Sequence, residues 1–94
     1  MGHLHQRILN AIKDDCYVVS DHADNQVRER GIMLWQVIDD TPNARLLTER
    51  PETAPNPTIE LEIILSDGTR AKAVWGLIET SDHAKLVTVH FFNR

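Results

Sequence analysis

The chain has 94 residues, 41% hydrophobic and 26% charged, a size that suits one small domain over residues 1–94 with a marginal core. Lys and Arg number 10 against 14 Asp and Glu, a net charge of -4; this argues against generic polyanion binding, which needs cations to neutralise phosphates, but leaves room for a local basic patch. No apolar run approaches the roughly 20 residues of a membrane span, the short "ILNAI" segment between Arg7 and Lys13 is no secretory leader, and the single cysteine, Cys16, excludes an internal disulfide or a thiolate zinc cluster, so the expectation is a cytoplasmic protein away from membranes.

In "HLHQRILNAIKDD", Leu4, Ile8 and Ile12 recur at helical spacing, with Leu9 and Ala11 widening the stripe, which predicts a helix over residues 3–14. "CYVVS" follows as a short extended run. Ser20 or Asp21 can accept the free N–H groups that open a second helix through Arg30, and Gly31 ends it. "IMLWQVIDD" puts Leu34, Val37 and Ile38 on one face of a third, shorter helix stopped by Pro42. Its ends are poorly capped, since Met33 offers no acceptor and Asp39 and Asp40 oppose the helix dipole, so packing must hold it.

"ARLLTE" reads as a strand, the proline-rich "RPETAPNPT" as a loop, and residues 58–65, 69–79 and 85–92 as three more strands. The side chains set the register of the middle hairpin. A three-residue Ser66-Asp67-Gly68 loop pairs Ile63 with Ala71, Leu61 with Ala73, Ile59 with Trp75 and Glu62 with Lys72, whereas a two-residue loop would set Lys72 beside Ile63. In the last strand, Val87, Val89 and Phe91 alternate with Leu86, Thr88, His90 and Phe92. The expected architecture is an α+β domain with two or three N-terminal helices packed on a mostly antiparallel four-stranded sheet.

"SDHADNQVRERGI" carries His22, Gln26 and Arg30 at spacings of four, one stripe of the second helix. At the first turn the helix dipole disfavours imidazolium, which suits His22 to proton transfer. Arg30, with Arg28 on an adjoining face, presents guanidinium donors of the kind that grip phosphate. The competing reading is a solvated face of alternating charge. His90, sharing a strand face with Thr88, is a second proton-transfer candidate, against a hydrogen-bonded core role. Lys72 suits a developing phosphorane charge, against a simple cross-strand partner of Glu62.

Five histidines invite a metal reading, but none has HExxH spacing, and His3 and His5 point to different helical faces. No glycine-rich phosphate loop or GxSxG elbow occurs. Trp35 and Trp75 sit in apolar patterns and read as core anchors. A helix-turn-helix DNA reader is rejected, because "IMLWQVIDD" has no Arg or Lys and ends in two aspartates.

The same string resembles the Ser-x-His-Ala-x-x-Arg-x-x-x-Arg-Gly-Ile signature of the domain of unknown function family 4258, and together with the closing "LVTVHFF" the resemblance runs from about residue 16 to 92. It implies a RelE-like fold of the barnase-type ribonuclease grouping and metal-independent, cofactor-free RNA cleavage by 2′-hydroxyl attack. The implied partners are RNA, free or on a ribosome, and an antitoxin-like protein. Carried over position by position, the resemblance puts His22 and Arg30 on the motif; the expected mechanism then takes His22 as the base or acid, Arg30 and Lys72 as phosphate stabilisers and His90 as the partner acid, with Gln26, Arg28, Arg70 and Thr88 as expected RNA contacts. The chain departs from the pattern at Gln26, where the family has arginine, at Met33, where a capping threonine is common, and at His90, where tyrosine is frequent.

Overall fold

In the computed structural model, which describes residues 3–92, three helices precede most of the sheet. Helix α1 spans His3–Lys13, strand β1 Tyr17–Val19, α2 Asp21–Glu29 and α3 Leu34–Asp40; a 3-10 turn at Thr41–Asn43 leads into β2 Arg45–Arg50, β3 Thr58–Ile64, β4 Arg70–Ile78 and β5 His83–Phe91. The strands form one sheet in the order β1-β5-β4-β3-β2. The α+β class stands, but the sheet has five strands and is mixed, because "YVV" pairs parallel to β5 with Tyr17 opposite Ala84 and Val19 opposite Leu86. Three residues are too few to display alternation, so nothing local distinguishes this strand from a linker.

The expected hairpin register is the observed one: Ile59 faces Trp75, Leu61 faces Ala73, Ile63 faces Ala71 and Glu62 faces Lys72. Leu65 and Thr69 close the loop by backbone hydrogen bonds, and Gly68 supplies the left-handed position at φ 87°. The core face carries Ile59, Leu61, Ile63, Ala73, Trp75 and Leu86, all fully buried, and α1 covers it with Ile8, Ala11 and Ile12. Tyr17 meets Trp75 edge-on with ring centroids 6.3 Å apart, which holds the short β1 to the centre of the core and is worth about 0.5–1.5 kcal/mol beyond area burial.

One strand breaks its alternation. Between Val74 and Trp75 the β4–β5 register skips from Thr88 to Leu86, so Val87 is the extra residue of a β-bulge. Leu86 therefore turns into the core, fully buried, and does not share the face of Thr88 and His90 as simple alternation predicts. Ser20 anchors the bulge: its hydroxyl donates to the Val87 carbonyl at 3.0 Å and accepts from the Ala23 N–H, so one side chain caps α2 and ties it to β5.

Both sheet edges are closed by side chains where strand partners run out. Beyond β1, α2 lies along β5, and Gln26 Oε1 accepts the Val89 N–H at 2.8 Å and the Thr88 hydroxyl at 2.6 Å. Beyond β2, Asp40 at the end of α3 accepts the Ile64 N–H at 3.0 Å. Each contact satisfies an edge donor that would otherwise invite another strand. α3 has no side-chain N-cap at Met33; it is held by buried Val37, by Asp40, and by a 2.7 Å hydrogen bond from Gln36 to Ser66. Among the described residues no helix is long and apolar enough to cross a membrane.

Candidate functional site on the open sheet face

All three helices pack against the core face or the edges of the sheet, so the alternate residues of the strands form a face without a helical cover. On it β3 places Glu60 and Glu62, β4 places Arg70 and Lys72, and β5 places Lys85 and His90. β2 adds Arg45 opposite Glu62 and, past a bulge at Leu47, Arg50 opposite Thr58. Five basic side chains thus share a face with two carboxylates in a chain whose net charge is -4. The acidity is carried largely elsewhere, as by Asp14, Asp15, Asp21, Asp24 and Asp39 on and around the helices.

The two glutamates are the hub of this face. Glu60 accepts from Arg50 Nε at 2.8 Å and from Lys72 Nζ at 3.1 Å. Glu62 lies 3.2 Å from Arg70 and 4.0 Å from Arg45. Lys72 thus reaches diagonally to Glu60, although Glu62 is its register partner. The carboxylates are 15% and 13% exposed, while the guanidinium side chains of Arg50, Arg70 and Arg45 are 58%, 63% and 77% exposed. The carboxylates form a floor and the arginines a rim, with Lys72, 26% exposed, set between the two levels. The Arg50 hydrogen bond holds the Glu60 carboxyl below its ordinary value of 4.5, partial burial pulls it the other way, and Lys72 lowers it further, so Glu60 is an anion at neutral pH.

His90 lies directly across from Lys72. Its Nδ1 is 3.4 Å from the Phe91 carbonyl oxygen, a contact it can make only as a donor, which leaves Nε2 without a hydrogen bond among the described residues. Beside it, the Arg70 guanidinium stands 6.0 Å from the Phe92 ring centre, within cation–π range. Thr88, on the same face opposite Val74, gives its hydroxyl to Gln26.

The helical stripe divides. Gln26 is half-buried and committed to β5, so it is not part of an exposed stripe. His22, one turn before it, and Arg30, one turn after, are exposed; Arg30 reaches back to the Gln26 carbonyl at 3.4 Å. Arg28 pairs with Asp24 at 3.0 Å, one turn earlier on the same helix. Because Gln26 meets Thr88, the stripe borders the open face and does not lie over it. The fold therefore brings His90, Lys72 and Arg70 together as neighbours, joins Gln26 to Thr88, and leaves His22 and Arg30 at the border.

Arg45, Arg50, Lys85 and the two glutamates are site residues that the sequence reading does not single out. The alternation of "TIELEII" already sends both glutamates to one face, and the hairpin register sets Glu62 beside Lys72. The missing signal is the flanking β2, whose pairing is visible only in three dimensions. Among the described residues no group of three or more His, Cys, Asp or Glu is arranged to hold a metal ion. Compared with known proteins, the chain matches no family model, no curated protein and no solved structure.

Proposed function

We propose that this domain is a metal-independent endoribonuclease of RelE-like type, a toxin held in check by an antitoxin-like partner, with the open sheet face as its RNA surface. The observation that carries this reading is the placement of His90 directly opposite Lys72 on a face where basic side chains outnumber carboxylates. In the reaction, the RNA 2′-oxygen bonds to the adjacent phosphorus as a base takes its proton, the bond from phosphorus to the 5′-oxygen breaks, and an acid protonates that oxygen. The products are a 2′,3′-cyclic phosphate and a 5′-hydroxyl. His90 is the acid, Lys72 and Arg30 stabilise the phosphorane charge, and His22 at the border is the base.

The experiment is induced expression of wild type, His90→Ala and His22→Ala with mapping of RNA ends and growth. Wild type alone should arrest growth and generate ends carrying cyclic phosphate. Full cleavage by folded His90→Ala protein would remove the mechanism. A second reading, a non-catalytic protein-binding module, is favoured by exposed Met33 and Trp35, 56% and 59% accessible; Trp35 is thus not the core anchor its apolar pattern predicts, and Met33 lines a cleft of about 290 Å³ with Arg30, Gln36 and Phe91. Intact RNA and normal growth from folded wild-type protein, in a host without an antitoxin, would favour it.

A further inference from the structure

We propose that Glu60 and Glu62 are internal counter-ions in a channel for one strand of nucleic acid, whose phosphates displace them from Arg45, Arg50, Arg70 and Lys72. This rests on the ribonuclease reading above and deepens it by naming the form of its substrate, from the pairing of each glutamate with one cation of each flanking strand.

β2 and β4 flank β3 at about 4.8 Å each, so their cations form two rims roughly 10 Å apart with the glutamates between them. That width takes a single sugar-phosphate backbone. Along β3 the two carboxylates are two residues apart, about 6.6 Å, comparable to the separation of successive phosphates in an unstacked strand. Each carboxylate is held by one cation from each rim: Glu60 by Arg50 and Lys72, Glu62 by Arg45 and Arg70. The glutamates therefore occupy the positions, relative to the cations, that two successive phosphates would take. They are sunk below the rim, whereas Arg45 and Arg70 are mostly exposed, so an incoming phosphate meets the guanidinium groups from the solvent side and draws them off the carboxylates.

Four cations against two carboxylates leave the channel positive when it is empty. A duplex is a poor fit, because reading its groove takes a protruding helix or ribbon, and here the helices lie on the opposite face or at the edges. A single strand also finds a stacking surface: Phe92, already associated with the Arg70 guanidinium, stands beside the β4 rim, where a base turned out of the backbone can lie against it.

The test is fluorescence anisotropy with a short labelled deoxy-oligonucleotide, which lacks the 2′-hydroxyl and cannot be cleaved by the proposed chemistry, single-stranded and annealed to its complement, across a salt series. The single strand should bind more tightly than the duplex. Arg45→Ala and Arg70→Ala should each weaken binding and reduce the slope of log affinity against log salt by about 0.7. Glu62→Gln should tighten binding by about 2–5-fold, the worth of an exposed ion pair released to the ligand. Glu60→Gln should act in the same direction and decides the matter if Glu62→Gln fails to fold. No binding by wild type at low salt, equal affinity for duplex, or glutamine variants that are folded yet bind no tighter would each overturn the channel. Deoxy-strand binding as expected with intact RNA would sink the catalytic reading and leave the channel standing; RNA cleavage indifferent to all these substitutions would do the reverse.

Discussion

Replacing Gln26 by arginine, the residue of the resembled signature, should destabilise the protein and not restore a phosphate contact. Gln26 Oε1 is the acceptor for the Val89 N–H and the Thr88 hydroxyl, and a guanidinium has no acceptor. The threonine hydroxyl can rotate to another partner, but the Val89 N–H belongs to a fully buried residue on a stretch of β5 that β1 does not reach. Leaving such a donor unsatisfied costs about 1–3 kcal/mol. For a domain of this size that lowers the melting temperature by on the order of 10 °C. Gln26→Glu retains an acceptor oxygen and should lose much less. The assay is thermal unfolding followed by circular dichroism, with hydrogen exchange at the Val89 amide. Exchange there should accelerate in Gln26→Arg beyond what its lower global stability accounts for. An arginine variant that melts with wild type, or a glutamate variant that falls as far as arginine, would refute the assignment of Gln26 to the sheet edge.

Two glycines should respond in opposite ways to alanine. Gly68 sits at φ 87° with open space where a methyl group would be added, so Gly68→Ala carries only a backbone penalty, about 1 kcal/mol of stability lost in denaturant titration. At Gly76 the nearest atom to an added Cβ is the Pro57 carbonyl oxygen at 3.5 Å, an ordinary contact, and Gly76→Ala should leave stability unchanged or raise it by about 0.5–1 kcal/mol. The Glu60 carboxyl, lowered first by Arg50, contributes stability that is fully present above its unfolded value near 4.5 and is lost as pH falls through the lower folded-state value. Glu60→Gln should therefore be less stable than wild type at neutral pH and show a shallower acid limb below about pH 4.5, read from melting temperature against pH; parallel limbs would contradict the role of the Arg50 and Lys72 bonds.

The parts of the fold legible in the sequence are those that local chemistry dictates. "LSDGT" needs a left-handed glycine, and only one loop length keeps Lys72 out of the core, so the hairpin register follows from side chains alone. Ser20 and Gly31 bracket α2 for equally local reasons. Three features are not legible. "YVV" joins the sheet through a parallel pairing with residues more than sixty positions away. The bulge at Val87 reverses the strand's alternation with no distinctive residue to announce it. Gln26 has a helical spacing that matches His22 and Arg30, yet α2 runs along a strand edge, and that placement turns its middle residue inward while its neighbours one turn away stay exposed. Spacing on a helix says which residues share a stripe; only packing says what the stripe meets.

The net charge, a difficulty for any nucleic-acid role when read as a single number, changes meaning once its distribution is known. Mean charge governs non-specific attraction at distances beyond the screening length of about 8–10 Å. Within that length the local face dominates, and here five of the ten Lys and Arg residues lie on the side the helices leave bare. An acidic body with a basic face is repelled by polyanions in most orientations and attracted in one, which lowers non-specific binding more than it lowers binding at the face. The same arrangement gives Glu60 and Glu62 a role distinct from the acids around the helices: placed between the rims, they neutralise four cationic side chains until a phosphate displaces them. Adding negative charge to the helical side, for example Asn10→Asp on the exposed surface of α1, should accordingly slow association with a single strand while leaving its dissociation rate unchanged. Substitutions at Arg45 or Arg70 should act on dissociation as well, and a stopped-flow comparison in which both kinds of variant altered only the association rate would argue against a defined phosphate channel.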